Sequence, residues 1–176
     1  RAGNLIPQFE TNRSFSFSQG SSGLKLILWG LLKKMVIADQ LAVIVNEVYL
    51  SPENFNGWGI ILSTFLFGFQ IYCDFSGYSD IAIGTARLFG IELMTNFRTP
   101  YFSNSFREFW HRWHISLSTW FRDYLYIPLG GNRSGLQKWI RNIIITFTIS
   151  GLWHGASFTF LIWGFIHGIF LVAEHF

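Results

Sequence analysis

The sequence predicts an all-α, polytopic membrane protein with spanning, broken and re-entrant or interfacial helices, and three observations predict it. Of 176 residues, 50% are hydrophobic and 19% aromatic, but only 13% are charged, where a soluble domain carries about 25% charged residues. Long apolar runs, at 58–73 and 143–172, have no polar face. The charge is also unevenly spread: residues 98–141 hold seven Lys and Arg against two acids, and the remainder six against eight. A basic block between lipid-length apolar segments is expected on the cytoplasmic side. There it would attract acidic headgroups or an anionic substrate rather than nucleic acid. A single cysteine, Cys73, excludes an intrachain disulfide or a cysteine metal cluster. The opening Arg1 and the apolar close "FLVAEHF" are what an internal piece of a longer protein would show, so residues 1–176 are read as one partial membrane domain.

The elements follow in order. Residues 1–23 are polar and rich in Gly and Ser, and read as a loop entering the membrane. Residues 24–50 are helical in composition but carry Lys33, Lys34 and Asp39, which suits a tilted span or an interfacial helix. "SPENFNG" is a turn, with Pro52 and Gly57 as breakers. The apolar run 58–73 covers about 24 Å, short of a ~30 Å hydrocarbon core, and must extend at one end. Asp74 and Asp80 follow directly. Carboxylates beside a span are costly and often functional, yet Asp74, Ser76 and Ser79 are also good helix caps, so capping and substrate binding both stand for them.

"NSFREFWHRWHISLSTWFRDYLYIPLGG" opens on a capping box, Ser105 to Glu108, and stops at Pro128 and the glycine pair Gly130-Gly131. Helical spacing sorts it into an aromatic stripe of Phe106, Trp110, Trp113, Leu117, Trp120 and Tyr124, and a polar one of Arg107, His111, His114, Ser118 and Arg122. One amphipathic helix, interfacial or re-entrant beside a watery cavity, fits that pattern. The run 143–172 would make a straight helix of about 45 Å, longer than the bilayer core. Its only ionisable side chains are His154 and His167, and Gly151 and Gly155 bracket Trp153 and His154. The helix is expected to break there, against a cavity that satisfies the freed backbone.

A lone histidine in an apolar run is ordinarily a hydrogen-bonded structural residue, the reading for His167 and His175. His154 and His114 sit where chemistry is useful. A histidine base can deprotonate a hydroxyl attacking a thioester or ester. Two histidines on separate helices can ligate haem iron. His111 and His114 with a third ligand can hold zinc. A transporter with a histidine proton relay is a further alternative of another class.

"FREFWHRWHISLSTWFRDYLYIPLGGNR", "YCDFSGYSDIAIG" and "SGLWHG" resemble the membrane-bound O-acyltransferase family, in its branch of bacterial polysaccharide acetylases. The resemblance runs from Leu24 to the end, and one position departs, with His111 where arginine is expected. It implies an all-α fold with a tunnel through the bilayer, transfer of an acyl group to a hydroxyl, and His154 as the catalytic histidine with His114 as its partner near the tunnel. It also implies acetyl-CoA as donor, no bound cofactor and no metal. Arg107, Arg112 and Arg122 would meet the donor's phosphates or lipid phosphate, with Asp74 and Asp80 supporting the tunnel wall. The acceptor would be a polysaccharide such as alginate, reached directly or through a periplasmic SGNH-type acetyltransferase. Peptidoglycan or D-alanyl transfer is the alternative on the same scaffold. The location implied is the bacterial inner membrane, multi-pass, among membrane lipids.

Overall fold

The computed structural model describes residues 2–12, 14, 16–133 and 135–176; Arg1 and parts of the 1–23 stretch lie outside them. The described residues are helical with no strand, and they form two compact units, residues 1–95 and 96–176.

In the first unit the expected entry loop is largely helix. Helix α1 spans Ala2–Phe9 and α2 spans Phe17–Leu31, with Ser16 Oγ accepting from Gln19 N at 3.4 Å. Gln8 ties α1 to Glu92, accepting from its amide at 2.8 Å and donating to its carbonyl at 3.1 Å. Four glycines of this unit are packing positions. A Cβ on Gly30 would stand 2.6 Å from the Gly77 carbonyl oxygen, and one on Gly84 would stand 2.6 Å from that of Gly23. The helix carrying Gly77 and Gly84, α4 (Gly57–Leu88), therefore runs antiparallel to α2 at backbone contact, the packing that small residues permit between helices in lipid.

Between them, a π-helical stretch Leu32–Ala38 leads into α3, Asp39–Leu50. A 3-10 turn at Pro52–Asn54 follows, and Asn56 caps α4, its Oδ1 accepting from Gly59 N at 2.9 Å. At 32 residues, α4 is about 48 Å long, so the short apolar run extends at its C-terminal end. Among the described residues it is the one helix both long and apolar enough to cross a membrane. Its apolar side chains Trp58, Ile61, Leu62 and Phe65 point outward.

Asp74, Ser76 and Ser79 lie inside α4 and cap nothing. Asp74, Ser76 and Asp80 find partners on the π-helical stretch. Lys33 Nζ pairs with Asp80 at 2.7 Å and donates to Ser76 Oγ at 3.0 Å, while Lys34 pairs with Asp74 and with Asp39. Lys33 is 8% exposed and the Asp80 side chain 20%, so losing Lys33 leaves a half-buried carboxylate without its partner. Lys33→Met is expected to cost about 3–5 kcal/mol, and adding Asp80→Leu should restore most of it. Thermal unfolding in detergent checks both; a double variant as unstable as the single contradicts the pairing.

In the second unit a 3-10 turn at Pro100–Phe102 leads to α5, Phe106–Arg112. The expected single amphipathic helix is broken. Trp113 is extended and His114 left-handed, at φ 42° and ψ 54°, before α6 at Ile115–Phe121 and a π-helical turn at Arg122–Tyr126. The capping box forms in part: Ser105 Oγ accepts from Glu108 N at 3.0 Å, but the Glu108 carboxylate accepts from Asn104 N at 2.7 Å. The glycine pair stops the chain as its sequence predicts, with Gly130 and Gly131 at positive φ.

The final apolar run breaks where its glycines predict, but its halves fold back on one another. Helix α7 spans Leu136–His154 and α8 spans Phe158–Ala173. A Cβ on Gly164 would meet the Phe147 carbonyl oxygen at 2.2 Å and the Gly151 Cα at 3.1 Å, and one on Gly168 would meet Ile144. The two helices form an antiparallel hairpin with His154 at its tip. Asn142, 0% exposed, donates to Leu129 O at 3.1 Å and Gly131 O at 3.3 Å, fastening the 127–133 turn to α7. Glu174 accepts from Arg107 N at 3.1 Å, and Phe106 stacks on Phe170 at 4.8 Å, fastening α5 to the end of α8.

Candidate active site

A cavity of about 760 Å³ opens within the second unit. His154 reaches it from the last turn of α7 and His114 from the kink between α5 and α6. Despite the kink, the whole polar stripe of Arg107, His111, His114, Ser118 and Arg122 lines it, among Trp110, Trp113, Phe121 and Phe147. The site is thus mostly apolar with a few convergent polar groups, the usual character of a small-molecule site.

Aromatic rings set the histidines. His154 lies edge-on to Trp163 at 5.4 Å and to Trp153 at 5.1 Å, and His114 lies 6.1 Å from Trp153. Trp153 therefore neighbours both imidazoles. A non-glycine residue in the left-handed region costs about 1–3 kcal/mol and persists only where its surroundings hold it. Burial first, and the charge of His154 second, push the His114 imidazole down to about 4. It is neutral at physiological pH and can donate or accept a hydrogen bond.

The other sequence-derived positions divide. Arg107 and Arg122 line the cavity, the latter with its Nε on Asp123 at 2.7 Å. Arg112 does not; its guanidinium pairs with Glu108 and reaches the Thr99 carbonyl at 3.4 Å. Asp74 and Asp80 belong to the first unit, where lysines hold them. His167 stands behind the site, 4.6 Å from Trp163 and 5.2 Å from Trp110. Its Nδ1 and the Trp110 Nε1 are buried without a hydrogen-bond partner among the described residues. His175, read from sequence as structural, lines the cavity and stacks on Trp139 at 4.5 Å. Its place depends on α8 returning antiparallel to α7, which no local pattern around it reports. Among the described residues no three His, Cys, Asp or Glu come together as a metal site would need.

An all-helical chain, an apolar cavity and two histidines brought together by a kink and a hairpin tip are joined by a direct correspondence of sequence. The model of the membrane-bound O-acyltransferase family matches residues 11–176, and the chain belongs to that family. Among curated relatives, it is 47% identical to "Probable alginate O-acetylase AlgI" of Pseudomonas putida over 97% of this chain and 35% of that protein. It is 42% identical to the "Peptidoglycan O-acetyltransferase" of Helicobacter pylori, over 95% of this chain and 32% of that one. It is also 33% identical to the "Teichoic acid D-alanyltransferase" of Bacillus subtilis, over 88% and 41%. The chain spans about a third of the length of the first of these relatives.

Proposed function

We propose that the full-length protein is a multi-pass O-acyltransferase of the bacterial inner membrane, moving an acetyl group from a cytoplasmic thioester towards hydroxyls of an extracellular or periplasmic polysaccharide such as alginate. The observation that carries this reading is the convergence of His154 and His114, from separate elements, on one cavity that Arg107 and Arg122 also line. Family membership supports the reaction class, and the names of the more similar relatives favour acetyl transfer.

In this reading the donor is acetyl-CoA, its phosphates near Arg107 and Arg122 and its thioester deeper among the aromatic rings. His154 takes the proton from the acceptor hydroxyl as the oxygen attacks the thioester carbonyl. The tetrahedral intermediate collapses with loss of the thiolate, which recovers that proton, and an ester remains. The neutral His114 donates a hydrogen bond to the carbonyl oxygen as charge develops there, the kind of fixed donor that stabilises such an oxyanion. The outward apolar faces of α4 and α8 suit lipid or further helices of the whole protein. The paired Asp74 and Asp80 then serve the scaffold. A periplasmic SGNH-type transferase is the proposed partner if the acetyl group is relayed rather than delivered directly.

The similarity to teichoic acid D-alanyltransferases supports a second reading, in which the acyl group is D-alanyl. The experiment offers the purified full-length protein radiolabelled acetyl-CoA or a D-alanyl thioester, each with alginate oligosaccharide, and follows label into base-labile ester. Label from acetyl-CoA supports the first reading and label from the D-alanyl donor the second. Label from neither, in folded protein supplied with a periplasmic partner, overturns both.

A further inference from the structure

We propose that Asn96 is a positioning residue for His114: residues 96–98 clamp the backbone on both sides of the kink and hold the imidazole at the cavity. The inference rests on the reading of His114 as part of the acyl-transfer site.

Three successive residues act on the kink in turn. Arg98 N donates to the Arg112 carbonyl at 2.9 Å, fixing the end of α5. Phe97 packs edge-on against Trp113 at 5.0 Å and 82°. Asn96 takes the start of α6, its carbonyl accepting from Ile115 N at 3.0 Å and its Oδ1 from Ser116 N at 3.1 Å. His114 itself occupies the N-cap position of α6, its carbonyl accepting from Leu117 N and Ser118 N at 3.0 Å each.

At an N-cap the side chain ordinarily turns back to accept from the first free amides of the helix. The His114 side chain makes no such bond. Asn96 supplies an acceptor to those amides from outside the helix, so the residue at the N-cap is released to face the cavity. The same two bonds explain how His114 stays in the left-handed region. Ile115 and Ser116, which follow it, are pinned to Asn96, and Arg112, two residues before it, is pinned to Arg98. A shift of about 1 Å in a reacting group can cost on the order of 10²-fold in rate, so the side-chain acceptor of Asn96 should be felt in turnover.

The test compares Asn96→Ala, which removes Oδ1, with Asn96→Asp, which keeps an acceptor there, in the full-length protein. Steady-state rates of ester formation are normalised to monodisperse, folded protein. Asn96→Ala is expected to lower kcat by about ten- to hundred-fold with donor KM within about twofold, and Asn96→Asp to regain most of the loss. Unchanged kcat per folded protein in Asn96→Ala, or equal loss in both variants, would overturn the inference. Should Asn96→Ala yield no folded protein, Asn96→Gln, which displaces the acceptor by one methylene, takes its place: a lowered kcat supports the clamp and an unchanged one refutes it. His114→Ala, run in parallel, separates the two levels. If it keeps wild-type kcat, the assignment of His114 fails and this inference falls with it. If it loses activity while the Asn96 variants do not, only the role of Asn96 fails.

Discussion

Replacing His154 by alanine is expected to lower ester formation by about 10²–10⁴-fold, the range in which a positioned general base contributes, with the protein still present in the membrane at its normal level. The side chain is exposed to the cavity at the tip of the α7–α8 hairpin, so its removal leaves no packed void. Its neighbours Trp153 and Trp163 keep their places in the two helices. The loss should therefore fall on kcat rather than on abundance. Acetyl-ester signals in the NMR spectrum of the polymer, read beside a membrane blot, check this. An unchanged ester signal would remove His154 from the transfer chemistry.

The second large effect belongs to a glycine. Gly164→Leu places a Cβ at 2.2 Å from the Phe147 carbonyl oxygen and 3.1 Å from the Gly151 Cα. Both obstacles are backbone, so no rotamer relieves them and α8 must move off α7. Overpacking costs about 1–3 kcal/mol where side chains can adjust, and more is expected here. The hairpin tip moves with α8, and His154 loses the Trp163 face. Thermal stability in detergent and ester formation should fall together, whereas Ile162→Leu, on the outward side of α8 at 53% exposure, should change neither. A stable, active Gly164→Leu protein would show that the two helices do not need this contact.

Much of the scaffold was legible because its signals are local. A histidine between two glycines in an apolar run marks a break, and the chain leaves the helix immediately after His154. Ser105 and Glu108 mark the start of α5, and Gly130 with Gly131 marks the turn before α7. What was illegible depends on partners far along the chain. The kink at His114 interrupts a pattern that is periodic on both sides of it, and Asn96, which bonds Ser116, lies 20 residues away. Asp74 and Ser76 resemble caps until the lysines reach them; Lys33 and Ser76 are 43 residues apart. Gly20 and Gly23 read as loop residues because a glycine inside a packed helix looks, in sequence, like one that makes a turn. The same ambiguity hid the fold-back of α8, where Gly164 and Gly168 serve packing, and with it the position of His175 at the cavity.

That His154 and His114 act on one reacting group is tested most directly by a double-mutant cycle. Label transfer from acetyl-CoA would be measured for the full-length protein, His114→Ala, His154→Ala and the double variant, each normalised to folded protein. Residues that serve one transition state are strongly non-additive, so the double variant should lose little more than the worse of the two singles. Losses that multiply would mean that the two histidines contribute independently, and would contradict a single shared site.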